Sequence, residues 1–357
     1  MRTVRVVTDP AYEVRIGRGI LVEVDRATSG YARRAVITDD RVAPLYLARL
    51  GLDAPSMSVP AGEGSKRMPM LERVLEFLAA SDLDRSSCVI ALGGGVVGDL
   101  AGLAASLYMR GIAVAQVPTT LLAQVDASVG GKTAVDLAAG KNLAGTFHQP
   151  AVVLADPEAL STLPGAEYRS GLGEVVKSAL IEGEPALAWI ERNTAAVIRR
   201  DADALEEAVG RCVETKARIV AGDPTERGQR KALNLGHSFA HAIERAAGYG
   251  QVPHGIAVAV GISLALRASR ESGLLLDAGL PERLEALLAA LELPGDLGSL
   301  RSATGARFAP EQLLAGMRHD KKGAAGRPRL VLPRAVGRIE IDVEVDPGLL
   351  AEIIRTG

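Results

Sequence analysis

Apolar and polar residues alternate along the first half of the chain in short runs. Val4 and Val6, then Tyr12, Val14 and Ile16, recur at every second position, the period of strands with one buried face. Arg34-Ala35-Val36-Ile37-Thr38-Asp39-Asp40 predicts a third strand ending in acids. A helix is expected from Pro44 to Leu50, and a short strand before the polar loop Pro60–Lys66. Residues 69–80 predict an amphipathic helix with Leu71, Val74, Leu75 and Leu78 on one face. Val89-Ile90-Ala91-Leu92 is a buried strand that runs into Gly93-Gly94-Gly95-Val96-Val97-Gly98-Asp99. Strand, helix, strand and glycine loop predict an α/β unit on a mostly parallel sheet. Asp156-Pro157 and Leu163-Pro164-Gly165 break the chain, and its character then changes. Residues 167–220 and 227–292 carry helical periodicity, rich in Ala, Leu, Glu and Arg. The pattern divides the chain into an α/β domain over 1–165 and a mainly α-helical domain over 166–357. The latter includes a short strand pair at 329–333 and 338–341 around a turn at 335–337.

Composition narrows the classes. A chain of 357 residues holds two sizeable cores, and 48% hydrophobic with 24% charged residues is that of a soluble globular protein. The net charge of -2 provides neither a basic face for nucleic acid nor a polybasic membrane patch. The longest apolar run, Ile256–Leu266, is shorter than the roughly 20 residues a bilayer span needs. The N-terminus has no continuous apolar region, so no signal peptide and a cytoplasmic location are expected. Two cysteines make no disulfide framework, and Cys88 reads as a small core residue.

Gly93, Gly95 and Gly98 satisfy G-x-G-x-x-G, and glycines after a strand let backbone N–H groups approach a pyrophosphate. The motif normally closes the first strand of its unit, and here several elements precede it. It is therefore a nucleotide site of a different build or a tight packing turn. Asp39, at a strand's carboxyl end, either takes ribose hydroxyls or caps a turn. Gly131-Lys132-Thr133 is not a P-loop, because Asp126 stands where that motif needs its first glycine.

The helical half carries the metal-type chemistry. Asn234, His237, His241 and Glu244 are spaced to share one helix face, His254 opens another helix, and Glu174 with Lys177 interrupts an apolar helix. A buried carboxylate and lysine are costly unless paired or ligated. Two His and one Glu form a catalytic zinc set with positions open for water or substrate. His237 is followed by Ser, which disfavours a metalloprotease. Lys132, Lys141, Lys177, Lys216, Arg230, Lys321 and Lys322 suit a multiply anionic substrate.

Nine stretches resemble the 3-dehydroquinate synthase family: Gly93–Asp99, Tyr108–Gly111, Pro118–Lys132, Gly140–Asn142, Phe147–Pro150, Gly171–Lys177, Asn234–Glu244, His254-Gly255 and Asp320–Lys322. The resemblance implies an α/β dinucleotide-binding domain followed by a mainly α-helical metal-binding domain. It implies conversion of 3-deoxy-D-arabino-heptulosonate 7-phosphate to 3-dehydroquinate and phosphate. The steps are transient oxidation by bound NAD, phosphate elimination, reduction, ring opening and internal aldol closure. By resemblance Glu174, His237 and His254 hold zinc, or cobalt in its place. NAD is expected on Asp39, Glu63, Lys66, Gly94, Gly95, Asp99, Thr119 and Thr120, with Lys132 and Lys141 near it. The substrate's phosphate and carboxylate are expected on Lys132, Asn142, Lys177, Lys216, Arg230, Asn234, His241 and Lys321, ordered by Asp126 and Glu226. Arg110 is expected to reach the neighbouring subunit's phosphate in a functional homodimer.

The chain departs from the family pattern at three places. Ile256 stands where Glu is frequent, Ala240 where Gly is usual, and Ser178-Ala179 where Tyr-Gly is typical. None is an expected ligand. The alternatives are a sister cyclase acting on sedoheptulose 7-phosphate or glucose 6-phosphate, a metal-dependent glycerol-type dehydrogenase, and a non-catalytic binding paralogue. Val129–Thr133 with Lys216 and Arg230 argues against the sister cyclases, because a carboxylate-bearing substrate needs extra cations.

Overall fold

Seven strands form the main sheet in the order β1-β2-β9-β6-β5-β3-β4. The computed structural model describes residues 1–320 and 328–357, without the side chains of 318–320. β1 (Arg2–Val6) and β2 (Tyr12–Ile16), the two strands the alternation predicts, pair antiparallel. The remaining neighbours are parallel: β2 with β9 (Val152–Ala155), β9 with β6 (Ala113–Pro118), β6 with β5 (Cys88–Gly93), β5 with β3 (Arg34–Asp39), and β3 with β4 (Ser56–Val59). Successive residues point to opposite faces. Ala35, Ile37, Val89 and Ala91 therefore join one core, and Val36, Cys88, Ile90 and Leu92 join the other. Burial on both faces explains why β5 reads as a continuous apolar run. It also pushes the Cys88 thiol up to about 12, so this cysteine packs rather than reacts.

α1 (Val24–Ala27) and α2 (Ala43–Tyr46) are single turns. α2 continues as a 3₁₀ segment, Leu47–Leu50, over the stretch expected to be one helix. α3 (Met68–Ala80) buries Leu71, Val74 and Leu78 from the predicted stripe. α4 (Gly95–Leu107) follows β5 directly. β7 (Lys132–Leu137) and β8 (Gly140–Phe147) form a separate antiparallel hairpin, which apolar periodicity does not reveal. Its β8 is largely exposed, so hydrophobic alternation is missing there.

The rest is mainly helical: α5 (Gly165–Glu182), α6 (Glu184–Ile198), α7 (Ala202–Gly222), α8 (His237–Ala247), α9 (His254–Glu271), α10 (Leu280–Ala290), α11 (Leu297–Thr304), α12 (Pro310–Asp320) and α13 (Pro347–Thr356). β10 (Arg329–Ala335) pairs with β11 (Arg338–Glu344) as the terminal hairpin. The compact units are Met1–Leu163 with Leu205–Thr225, and Pro164–Ala204 with Glu226–Gly357. The division is thus not a single cut at 165. Most of α7 returns to the first unit, where Arg2 Nη1 meets Glu207 Oε2 at 3.0 Å and Lys216 Nζ meets Asp126 Oδ1 at 2.9 Å. Among the described residues no helix is long and apolar enough to cross a membrane.

Candidate active site

In the first unit, chain direction across the sheet reverses between β3 and β5. β4 lies outside β3, whereas β6 and β9 continue outward from β5. Open α/β sheets bind ligands at the carboxyl ends of such a strand pair. Asp39 ends β3 and Gly93 ends β5. The G-x-G-x-x-G thus follows the fourth, in chain order, of six parallel strands, which accounts for its late position in the chain. A Cβ on Gly94 would stand 2.9 Å from Thr120 Cγ2, so this turn admits no side chain without a shift. Gly95 then opens α4, whose N-terminal N–H groups favour an anion. Thr38 Oγ1 and Thr119 Oγ1 are buried without a hydrogen-bond partner among the described residues. A glycine cradle, a helix N-terminus and two orphaned hydroxyls fit a dinucleotide.

Asp39 also serves the blander role. Its Oδ1 accepts N–H groups of Arg41 and Val42, both at 2.9 Å, and so caps the turn after β3. Thr120 Oγ1 likewise accepts from Ala123 N at 3.1 Å. Lys66 Nζ bonds Asp99 and the Asn142 side chain, while Asn142 N donates to Asp136 Oδ1 at 2.8 Å. Asp136 N donates to the Lys66 carbonyl at 2.8 Å, and Lys141 Nζ lies 3.7 Å from Glu63 Oε1. The Glu63–Lys66 loop, α4 and the β7–β8 turn are thereby tied together. Burial disfavours the Lys66 ammonium, but Asp99 and Glu63 outweigh it and raise its pKa. Burial pushes the Asp99 carboxyl up, with Lys66 opposing. Asp136 has no role in the sequence-based expectation; it stands on the same strand, β7, as Lys132.

Asp126 lies in a π-helical turn, Ala123–Ala127, and Lys216 Nζ donates to its carbonyl at 2.6 Å and to Oδ1 at 2.9 Å. Such turns recur at functional sites. Lys132 opens β7 with its side chain exposed. Arg110 is exposed at φ +69°, after Met109 at φ +49°.

The second unit gathers Glu174, Lys177, His237, His241 and His254. Glu174 and Lys177 are one turn apart on α5, only 2% and 3% exposed, and form an ion pair. Glu174 Oε1 lies 3.7 Å from His237 Nε2 and 3.5 Å from His254 Nε2. One ligand atom from each of Glu174, His237 and His254 falls within 4.8 Å of the others. A carboxylate and two imidazoles at that spacing fit a divalent cation. His241 is exposed on α8, with its ring 5.6 Å from that of His237.

Glycines set this geometry. Each ligand has one as a chain neighbour: Gly173 before Glu174, Gly236 before His237, and Gly255 after His254. A Cβ on Gly173 would lie 1.9 Å from Gly255 O, and one on Gly255 would lie 1.7 Å from Ser170 O. α5 and α9 therefore meet backbone to backbone, which Ser170 Oγ reinforces by accepting Gly255 N at 3.0 Å. Gly236, at φ +79°, lets α8 begin against α9, where a Cβ on Gly261 would lie 2.2 Å from Gly236 O. The glycine adjacent to every ligand is a signal carried by the sequence itself, beyond the spacing of the ligands.

The imidazoles are driven apart electrically. Burial, with Lys177 adding to it, holds His237 well below the usual histidine range. Burial acts the same way on His254, but hydrogen bonds to Glu174 and Glu244 outweigh it and raise His254 to about 10.

Asn234 does not share a helix with His237. It ends a 3₁₀ segment, Gln229–Asn234, because Gly236 in the left-handed region separates that segment from α8. Asn234 Nδ2 donates to Glu226 Oε1 at 2.6 Å, and Glu226 holds φ +60°. Arg230, in the same segment, is 1% exposed. Lys321 and Lys322 lie outside the described residues.

A doubly wound dinucleotide-type unit, with a helical unit presenting one carboxylate and two imidazoles to a cation, defines a class of metal- and dinucleotide-using enzymes. Residues 56–170 match the 3-dehydroquinate synthase N-terminal family and residues 171–323 its C-terminal counterpart. The chain belongs to the 3-dehydroquinate synthase family. It is 44% identical over 355 residues to the 3-dehydroquinate synthase of Paracoccus denitrificans (strain Pd 1222), covering 96% of this chain and 95% of that protein. Two solved structures are similar over the full chain. A 2-deoxy-scyllo-inosose synthase complexed with carbaglucose-6-phosphate, NAD+ and Co2+ gives a TM-score of 0.88 at 27% identity, covering 100% of both chains. The 2-epi-5-epi-valiolone synthase from Streptomyces hygroscopicus subsp. jinggangensis 5008, with NAD+ and Zn2+ bound, gives 0.86 at 28%, covering 100% of this chain and 98% of that one.

Proposed function

We propose that this chain is a 3-dehydroquinate synthase, a lyase that converts 3-deoxy-D-arabino-heptulosonate 7-phosphate to 3-dehydroquinate and phosphate. The observation that carries this over a sister cyclase is likeness in sequence. Identity is 44% to the Paracoccus synthase, against 27% and 28% to the two cyclases. A binding paralogue is disfavoured, because Glu174, Lys177, Arg230, His237 and His254 keep the charged chemistry a catalyst needs.

NAD supplies a transient hydride acceptor, and Zn2+ or Co2+ at Glu174, His237 and His254 supplies Lewis acidity toward substrate oxygens. The protein's own residues orient and neutralise. The β3–β5 crevice, Gly94, Gly95 and the Lys66–Asp99 pair serve the dinucleotide, joined by Asp39, Glu63, Thr119, Thr120 and Lys141. Lys132, Asn142, Lys177, Lys216 and Arg230 are assigned to the substrate's phosphate and carboxylate. Two of these cations are held by fixed partners before substrate arrives, Lys177 by Glu174 and Lys216 by Asp126. Preorganised charge of this kind lowers barriers without further rearrangement. Asn234, braced by Glu226, and His241 complete the set. Arg110 is assigned across a homodimer in the cytoplasm, and sedimentation of the purified chain tests that assembly.

Phosphate release tests the activity, with catalytic NAD and zinc and sedoheptulose 7-phosphate as the rival substrate. Release from the heptulosonate phosphate alone, with 3-dehydroquinate formed and no net NADH, is expected. Release from the rival alone moves the chain to the sister cyclases. A steady rise of NADH moves it to the dehydrogenases.

A further inference from the structure

His254 presents its two ring nitrogens to two different carboxylates. Nε2 faces Glu174 Oε1 at 3.5 Å, and Nδ1 faces Glu244 Oε2 at 3.2 Å. Glu244 is 2% exposed, in the third turn of α8, and belongs to none of the ligand or substrate assignments above. His237 shows the same division, with Nε2 toward Glu174 and Nδ1 against the Leu235 carbonyl at 3.2 Å. Both imidazoles thus turn Nε2 inward and occupy Nδ1 outward. For His237 the outer partner is backbone; for His254 it is a side chain.

His254 needs such an anchor. It is the first residue of α9, after a connection containing Gly248 at φ +87° and Gly250 at φ +90°. At that position no preceding helical turn confines its χ angles. We propose that Glu244 is a positioning residue for the metal centre, fixing the His254 tautomer and ring orientation through Nδ1 so that Nε2 meets the cation. The inference rests on the metal reading above. α8 then supplies one ligand directly and steers another two turns further along. A carboxylate behind a ligating histidine raises the ligand's basicity, and its loss typically weakens metal binding about 10–100-fold.

His241, Glu244 and His254 also bring ligand atoms within 4.8 Å of one another. A second cation there would take His254 Nδ1 while Nε2 served the first, so the ring would have to give up both protons. A hydrogen bond to Glu244 needs no such loss.

The test uses the full chain as wild type, Glu244→Gln and Glu244→Asp. Zn2+ affinity is read by competition with a chromophoric chelator, Co2+ coordination by d–d absorption, and NAD affinity serves as the fold check. Wild type is expected to bind one metal. Glu244→Gln should bind it about 10–100-fold more weakly with an altered d–d envelope and unchanged NAD affinity. Glu244→Asp, which keeps the charge, should recover part of the loss. Should Glu244→Gln not fold, Glu244→Ala takes its place with the same expectation. Wild-type affinity and spectrum in the Gln or Ala variant overturn the proposal, as does a wild type binding two metals of which the variant loses one. A wild type that binds no metal overturns the metal reading itself.

Discussion

Glu174 and Lys177 sit deep inside a helical unit, on α5, which touches α9 through glycines. Lys66 and Asp99 also pair, but at the end of a sheet, between a loop and the first turns of α4, with Asn142 of the β7–β8 hairpin as a further partner of Lys66. In the first setting the backbone is fixed before any ligand arrives, since α5 and α9 pack with no side chain between them at Gly173 and Gly255. In the second, the elements carrying charge include Gly62 at φ +102° and Asn142 at φ +56°, turns held by a few polar contacts. Buried charge is costly unless its partners are placed, so rigid helices suit a cation site. A nucleotide with many contact points tolerates a more adjustable frame. Changes in the helical cluster should therefore abolish function, and changes in the loop cluster should weaken it.

The largest effect is expected from His237→Ala. It removes one of three donors and leaves the buried Glu174 carboxylate short of a partner. Metal binding should be lost, and kcat/KM should fall about a thousandfold or more, equivalent to about 4 kcal/mol of transition-state stabilisation. Equilibrium dialysis should find NAD affinity unchanged. Loss of NAD binding with zinc retained would contradict the assignment of cofactors to units.

Gly255→Ala comes next and probes rigidity rather than chemistry. A methyl 1.7 Å from Ser170 O forces α5 and α9 apart, and overpacking of this kind costs about 1–3 kcal/mol. Thermal unfolding should record the loss, and metal affinity should fall with it, because Glu174 and His254 flank the contact. Gly222→Ala is the control: no atom lies within 4 Å of its Cβ, and stability should move by no more than about 0.5 kcal/mol. Equal effects from the two would remove the glycine contact as the cause.

Lys66→Met should be milder. It takes the ammonium from Asp99 and Asn142, and Asp99, already pushed up by burial, then titrates higher still. The NAD dissociation constant is expected to rise about tenfold, near 1.4 kcal/mol, with metal affinity unchanged. An unaltered NAD constant would separate this pair from the nucleotide site.

The same contrast governs what the sequence made legible. β1 to β5, α3 and the helical second half announce themselves because burial imposes a period on them. The glycine loop and the Glu174, His237 and His254 set were recognisable because rare residue types stand among apolar ones. The β7–β8 hairpin was not, since its exposed face carries no hydrophobic alternation. Spacing alone puts Asn234 on the helix of His237, but Gly236 at φ +79° breaks that continuity. The return of residues 205–225 to the first unit depends on pairs such as Arg2 with Glu207, more than 200 positions apart, which no local pattern encodes.

Arg283 marks the lower end of the scale. On α10 it binds Glu184 through Nη1 and Nη2 at 2.9 and 2.6 Å, and Glu191 through Nε and Nη2 at 2.5 and 2.8 Å. By geometry this is a better-formed ion cluster than Lys177 with Glu174. Its location differs: Glu184 is 59% exposed and Arg283 29%, so water competes for every charge. Exposed pairs of this kind contribute about 0.2–1 kcal/mol, and a bidentate network stands near the top of that range. Arg283→Met should therefore lower stability by about 1 kcal/mol, with most of the loss already present in wild type at high salt, where screening weakens the cluster. Zinc affinity, NAD affinity and kcat/KM should stay at wild-type values. A drop in zinc affinity in this variant would mean that α6 and α10 help to hold the metal cluster. The boundary between surface charge and site charge would then have to be drawn further out than burial draws it.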